Sequence, residues 1–317
     1  MRTLVTGGAG FIGSNIVDAL VRRGDDVSVL DDLSTGYGEN INEAARLVEG
    51  DIADPDVVAT AIEGCEVVFH LAAHRAVFRS VEHPLATDRA NVAGTLTVLV
   101  AARDAGVRRV VAASSSSVYG GAEKLPTPES APLLPRSPYA VSKVAGEHYC
   151  RVFSELFGLE TVSLRYFNVY GPRQRPDSMY AAVIPLFIDA LRSGDRPEVH
   201  GDGRQSRDFS YIDDVVDTNL RAAIAPADRC SGRAYNIAGG TTFDLLELLS
   251  ILGKIIDVVP DPIHTEPRPG DVRHTNADIS AARDDLGFTP STSFADGLER
   301  TVEWFSHRPG PNASDRG

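Results

Sequence analysis

The chain is poor in the residues that staple small folds or build metal centres. It has three cysteines, Cys65, Cys150 and Cys230, in 317 residues. They are too few and too scattered for a disulfide framework or a zinc site. Inert thiols in a reducing, cytoplasmic setting are expected instead, with no metal. No apolar run approaches the ~18 residues of a membrane span. The strand-like Thr3-Leu4-Val5 comes too early for a secretory leader. Positive charge is also scarce: 31 Lys+Arg face 44 Asp+Glu, a formal net charge of −13. A field of that sign repels nucleic acid and anionic membranes. It does not bar a small anionic ligand, because a few arginines can make a local positive pocket.

What is present is enough apolar material, 43% of residues, for a sizeable core. The N-terminal half alternates short β-branched runs with amphipathic stretches of helix length. The runs are 3–6, 27–30, 46–48, 67–70, 110–113 and 161–164. Helices are predicted over 11–23, 55–62, 85–105 and 139–157. Repeated strand, helix, strand means an α/β fold, a doubly wound parallel sheet of Rossmann type. The second half is less regular, with helices predicted over 181–192, 213–223, 243–252 and 294–305. The four prolines of 260–271 mark a loop or edge strand. The expected division is a dinucleotide domain over 1–170, rejoined by 205–236, then a smaller α/β substrate domain over 171–307. Residues 308–317 read as a frayed tail.

Gly7-Gly8-Ala9-Gly10-Phe11-Ile12-Gly13 follows the first strand and opens the first helix. Glycine at those positions permits the tight turn, the approach of backbone to a pyrophosphate, and close helix–strand packing. The helix start offers free N–H groups to the phosphates. Asp31-Asp32 ends the next strand, with Asp31 18 residues after Gly13. That is near the spacing of about 20 at which a carboxylate binds the adenosine ribose hydroxyls. A carboxylate there repels a 2′-phosphate, so NAD is expected over NADP. Asp51-Ile52, after the third strand, would flank the adenine. Leu71-Ala72-Ala73, after the fourth, offers small residues where the cofactor passes.

Tyr139-Ala140-Val141-Ser142-Lys143 puts a tyrosine and a lysine on one face of a predicted helix. A phenol of pKa ~10 is a poor base at neutral pH. A neighbouring ammonium and the positive nicotinamide ring both favour phenolate. Upstream, Ser114-Ser115-Ser116-Ser117 lies where the fifth strand ends, facing the cofactor crevice.

With these residues in place, the chain resembles the NAD-dependent sugar-nucleotide epimerase/dehydratase family of extended short-chain dehydrogenases/reductases. The resemblance covers nearly the whole chain and continues through Leu164-Arg165-Tyr166-Phe167-Asn168-Val169-Tyr170-Gly171-Pro172, 207–214 and Arg268-Pro269-Gly270-Asp271. Within the family the pattern is nearest to the UDP-glucose/UDP-N-acetylglucosamine 4-epimerases. The resemblance implies that Tyr139 is the base, Lys143 its partner, and Ser115 a hydrogen-bonding group for the sugar 4-hydroxyl. It implies that Asn168, Arg207 and Arg268 grip the diphosphate, guanidinium forks suiting that role. The cofactor site it implies adds Ser34, Thr35, Gly36, Asn91, Ser114 and Tyr166. The substrate site adds Ser116, Val183, His200, Asp271 and Thr275. It also implies a homodimer through a four-helix bundle made by 85–105 and 139–157.

Dehydratases of the family carry an Asp-Glu pair where this chain has Ser116-Ser117, and decarboxylases keep a Glu there. The missing carboxylates favour 4-epimerisation through a transient 4-keto sugar. Seven residues beyond Arg268, where a tyrosine would block an N-acetyl group, stands Thr275. Both plain and acetylated UDP-hexoses are therefore expected substrates, and the stretch 180–185 points the same way. Against this, Arg75 and Phe78 would face the sugar or the nicotinamide. Arg75 keeps UDP-glucuronate 4-epimerisation open as the alternative, beside another dehydratase or decarboxylase. A non-catalytic NAD-binding regulator is disfavoured by the retained Ser115, Tyr139 and Lys143.

Overall fold

The computed structural model describes residues 1–75, 77–174, 182–267 and 272–307. The strands are β1 (Arg2–Thr6), β2 (Asp26–Asp31), β3 (Arg46–Glu49), β4 (Val67–His70), β5 (Arg109–Ser115), β6 (Glu160–Tyr166), β7 (Val169–Tyr170), β8 (Glu198–His200), β9 (Ser206–Asp208), β10 (Ser210–Tyr211), β11 (Arg233–Ile237), β12 (Thr242–Asp244) and β13 (Ile263–Thr265). The α-helices are α1 (Phe11–Arg23), α2 (Pro55–Ile62), α3 (Val77–Glu82), α4 (Pro84–Asp88), α5 (Gly94–Asp104), α6 (Pro138–Phe157), α7 (Val183–Ser193), α8 (Ile212–Ile224), α9 (Ala227–Cys230), α10 (Leu245–Ile256), α11 (Ser280–Leu286) and α12 (Phe294–Ser306).

Seven strands form one parallel sheet in the order β11-β6-β5-β4-β1-β2-β3. Sequence order reverses between β1 and β4. That reversal is the switch point at which open α/β sheets bind ligands, outside the carboxyl ends of the strands. The central strands are apolar on both faces, as burial between two helical layers demands. Leu4, Val5, Val67, Val68 and Phe69 are fully buried. One apolar core, containing Val5, Val17, Val29 and Phe69, runs on into the second half through Ile188, Leu248 and Leu298. The other, on the opposite face, joins Leu4, Val68 and Val110 to Val98, Leu99 and Phe153. β11 joins the sheet beside β6, so the chain returns to it after leaving.

The helix ends are written locally. α1 stops at Gly24, whose left-handed backbone (φ 86°) lets its N–H reach the last carbonyls. α6 starts at Ser137, whose side chain accepts from the Ala140 N–H, with Pro138 in the first turn, and it stops at Gly158 in the left-handed region. Two expectations change. The helix predicted over 85–105 contains a π-helical turn, Arg89–Ala93, which separates α4 from α5. The helix predicted from Phe243 begins at Leu245, because Asp244 and Glu247 make a reciprocal capping box and Phe243 joins β12. The short strands β8 to β10, β12 and β13 and helix α11 are too brief to carry a periodicity of their own.

Candidate active site

At the switch point, a cleft is lined from four directions by β1's glycine loop, the ends of β2 and β4, the end of β5, and α6. Gly7 takes φ 73°, and a Cβ there would lie 2.7 Å from the Ala72 amide nitrogen. A Cβ on Gly13 would collide with the Gly7 carbonyl oxygen. The loop and the first turn of α1 thus pack with no room for a side chain, leaving helix-start N–H groups facing the cleft. Asp31 holds the loop: its carboxylate accepts from Ala9 N and Leu33 N, both at 2.9 Å. Burial pushes its pKa up, against those two hydrogen bonds.

Gly7, Gly10, Phe11, Ile12, Gly13, Asp31, Asp32, Ser34, Thr35, Gly36, Asp51, Ile52, Leu71, Ala72, Ala73, Ser114, Tyr139, Lys143 and Tyr166 all line this one cleft. Of the expected catalytic and cofactor residues, Ser115 is outside the lining, and so is Asn91. Asn91 is 3% exposed, and its amide is spent on protein partners. Its Oδ1 accepts from His74 N at 2.8 Å, and its Nδ2 donates to His74 O and Ser142 Oγ. The π turn carries it beneath the cleft, where it clamps the loop after β4 to α6. The lining also holds Tyr37, Asn40, His74, Arg75 and Arg173.

Tyr139 and Lys143 meet the end of β5. The Ser115 side chain lies near enough to the Tyr139 phenol to act on its proton. Lys143 Nζ donates to Ala113 O at 2.9 Å and lies 5.9 Å from the Tyr139 ring centre. Burial pushes the Tyr139 phenol up, although the Ser115 side chain and the Arg75 charge act to lower it. Burial thus works against the phenolate that the neighbouring positive charge favours. A further positive charge in the cleft is needed to release its proton. Burial likewise lowers Lys143 to about 8, opposed by Cys150 and Glu147. His70, beneath them, is pushed to about 3 by burial and is held neutral between Thr6 and Thr95 hydroxyls.

A buried ion pair supports this end of the cleft. Arg165, on β6, forks onto Glu147, on α6, with Nε–Oε1 2.9 Å and Nη2–Oε2 2.7 Å. Ser114 Oγ donates to the same carboxylate at 2.5 Å. Arg165 Nη1 goes on to the Tyr119 hydroxyl at 2.7 Å, which donates to Asn236 Oδ1 on β11. Sequence reading passed over Glu147, although its place four residues after Lys143 on one helix face was visible.

The expected substrate residues gather less completely. Asn168, with φ 35°, donates to Asp208 O at 3.0 Å and to Thr275 Oγ1 at 3.3 Å. Arg207, next to Asp208 on β9, donates to Ser206 O and Arg273 O. Burial raises Asp208 to about 6, even though its carboxylate accepts from the backbone of Ala277 and Gly240. Asn168, Arg207 and Thr275 therefore form one connected neighbourhood. His200, on β8, accepts or donates at Thr265 Oγ1 (2.8 Å) and is tied to the Ser206 strand through Gln205. Val183 opens α7, and Ser116 opens the single 3₁₀ turn after β5. Arg268 and Asp271 lie outside the described residues, as do Tyr180 and Ala181. Phe78, on α3, is not in the cleft lining.

The glycine cradle, the buried Asp31 and the unpartnered Nη1 of Arg173 in the cleft lining fit a dinucleotide, and Ser115, Tyr139 and Lys143 fit hydride-coupled chemistry on a hydroxyl. Fold and site thus define a Rossmann-type dinucleotide enzyme. The NAD dependent epimerase/dehydratase family profile matches residues 3–238, and the chain belongs to that family, with NAD as its cofactor. A UDP-glucose 4-epimerase of Mycolicibacterium smegmatis is 42% identical over 315 residues, 97% of this chain and 99% of that one. A Thermotoga maritima UDP-glucose 4-epimerase solved with UDP-glucose superposes with a TM-score of 0.93 at 38% identity, covering 96% and 99% of the two chains. A UDP-N-acetylglucosamine 4-epimerase of Methanobrevibacter ruminantium, solved with UDP-N-acetylmuramic acid, gives 0.92 at 39% identity over 96% and 98%. Relatives with other activities also match: a Streptomyces niveus dTDP-glucose 4,6-dehydratase at 36% and an Arabidopsis thaliana UDP-glucuronate 4-epimerase at 34%.

Proposed function

We propose that this enzyme interconverts UDP-hexoses at C4, acting on UDP-glucose/UDP-galactose and on their N-acetylated counterparts. The observation that carries the reading is the β5 terminus. Ser115 and Tyr139 come together there, Lys143 stands behind them, and the next two positions are hydroxyls, Ser116 and Ser117, rather than carboxylates. With serines at these two positions, neither side chain is an acid that could expel water from the sugar.

Bound NAD supplies the hydride acceptor and donor. Tyr139 takes the proton of the 4-hydroxyl and returns it after the sugar has turned. Ser115 holds that hydroxyl against the phenol. Lys143 and Arg75 place positive charge beside the phenol, the direction that offsets its burial. Asn168, Arg207 and Arg268 hold the diphosphate, and Thr275 leaves space for an acetamido group. Residues 171–307 are mainly the sugar-nucleotide domain in this reading, except that 205–236 returns to the cofactor domain. The 42% identity to a UDP-glucose 4-epimerase and the superposition on a UDP-N-acetylglucosamine 4-epimerase support both substrate pairs.

A second reading rests on Arg75. It lines the cleft beside Tyr139 and has no ion-pair partner among the described residues. A carboxylate on the sugar would satisfy it, as in UDP-glucuronate. A homodimer is also proposed: Leu85 is 86% exposed on α4, beside exposed Val81 on α3 and Val141 and Leu156 on α6. Such a patch on adjoining helices is what a bundle between two copies would cover. The buried thiols of Cys65, Cys150 and Cys230 suit the cytoplasm.

The test is a panel of UDP-, dTDP- and GDP-sugars, plain, acetylated and uronic, resolved by product chromatography. Turnover of the neutral UDP-hexoses with Tyr139→Phe reduced by about 10²–10⁴ supports the proposal, the usual weight of a positioned acid–base group. Turnover of UDP-glucuronate alone, or full activity in the Phe variant, refutes it.

A further inference from the structure

The protein carries a large negative charge, and the cofactor cleft adds to it with Asp31, Asp32 and Asp51. A dinucleotide brings a doubly negative pyrophosphate into that field. Of the cations facing the cleft, Lys143 and Arg75 stand at the Tyr139 end. Arg89, near the adenine side, is paired with Asp51 at 2.8 Å. Helix-start N–H groups supply partial charge to the pyrophosphate but no full one.

Arg173, though paired through one nitrogen with Asp18, offers a charged donor that is not used up. It lies three residues beyond β7, outside the glycine-loop segment, yet it lines the same cleft as Gly10 and Phe11. Its backbone is left-handed, φ 73°, which a residue with a Cβ adopts only when its surroundings hold it there. Those surroundings are α1. Arg173 Nη2 donates to Asp18 Oδ2 at 2.7 Å, and Asn15 Nδ2 reaches Pro172 O at 3.5 Å. Asn42 Nδ2 fixes the other Asp18 oxygen at 2.8 Å. The guanidinium is thereby aimed rather than free. Its remaining terminal nitrogen, Nη1, is buried with no hydrogen-bond partner among the described residues. A buried, charged donor left unmade is costly, so such an atom points to a ligand acceptor.

We propose that Arg173 is a cofactor-binding residue: a latch from the second half of the chain that closes over the glycine loop and donates through Nη1 to the NAD pyrophosphate, with Asp18 as the group that aims it. The inference rests on NAD as cofactor and not on which sugar is turned over, so it stands or falls separately from the substrate panel.

Arg173→Gln, Arg173→Lys and Asp18→Asn in the full-length chain test it. NAD carried through purification is released by denaturation and counted, and NADH affinity of the stripped protein is read by fluorescence at several salt concentrations. Arg173→Gln is expected to weaken binding at least tenfold and to flatten its salt dependence, since one charge contact to phosphate is lost. Arg173→Lys keeps the charge but not the fork and falls between. It also serves as the measured variant if the glutamine protein does not fold. Asp18→Asn keeps the donor and is expected to weaken binding less than Arg173→Gln. Wild-type affinity and salt slope in Arg173→Gln overturn the proposal. So does a raised KM for the UDP-sugar with NAD affinity unchanged, which would assign the arginine to the substrate diphosphate. Equal losses in Asp18→Asn and Arg173→Gln would make the contact a structural tie and also overturn it.

Discussion

Glu147→Gln isolates the buried ion pair between α6 and β6. The two side chains are only 8% and 6% exposed, and the Arg165 fork uses both carboxylate oxygens. Glutamine has the same shape but offers one acceptor and one amide. The amide then faces a guanidinium N–H, donor against donor, and Arg165 keeps a buried charge with only the Tyr119 hydroxyl and Glu129 O as partners. Removing one member of a buried pair typically costs about 3–5 kcal/mol, because the other is left uncompensated. At an unfolding entropy of about 2.1 cal/mol/K per residue, 1 kcal/mol shifts the melting temperature of a 317-residue chain by about 1.5 °C, so it should fall by roughly 4–8 °C. Replacing both members, Glu147→Leu with Arg165→Met, should recover much of that loss, since the desolvation of both charges is relieved together. Thermal and urea unfolding of the NAD-stripped proteins measure both. The same change touches chemistry. Glu147 acts to raise Lys143, so without it the ammonium should lose its proton below about 8. The alkaline limb of the kcat profile should move to lower pH, and Glu147→Asp should partly restore it. A loss under about 1 kcal/mol in Glu147→Gln, or a double variant no more stable than the single, would refute the argument.

Three further outcomes follow from the same geometry. Gly13→Ala should abolish NAD retention, because its methyl would meet the Gly7 carbonyl; unchanged cofactor content would count against the tight loop–helix packing. Lys143→Met should inactivate the enzyme yet stabilise the stripped protein at pH 7. Lys143 is lowered from 10.5 to about 8, so the unfolded chain holds the extra proton between those values, and wild-type stability rises with pH across that window. The gain at pH 7 is at most about 3 kcal/mol by the 1.36 kcal/mol per unit relation. It should shrink as pH rises from 8 to 10, and a gain independent of pH would exclude Lys143 as its source. Leu85→Asp, at an exposed position, should leave the melting temperature within about 2 °C while turning the proposed dimer into monomer by light scattering. A dimer that survives it does not use this face.

The sequence by itself determined the sheet and the cofactor cradle. A glycine cannot be replaced where backbone must touch backbone, and an acidic residue at a strand end has few other reasons to sit where Asp31 sits. Local signals of that kind, the Ser137 and Pro138 start of α6 and the four-residue spacing of Tyr139 and Lys143 among them, need no knowledge of distant chain. What only tertiary structure decided depends on residues far apart in sequence. Asn91 looked like a cofactor ligand, but the π turn spends its amide on His74 and Ser142. Tyr139 looked activated by its lysine, but burial, which no spacing reveals, raises it instead. Arg165 meets Glu147 only because β6 lies beside β5 under α6. Arg173 faces the glycine loop only because Asp18, 155 residues earlier, holds it there. Desolvation and long-range pairing are properties of the packed chain, and they set the charges on which the chemistry at this site depends.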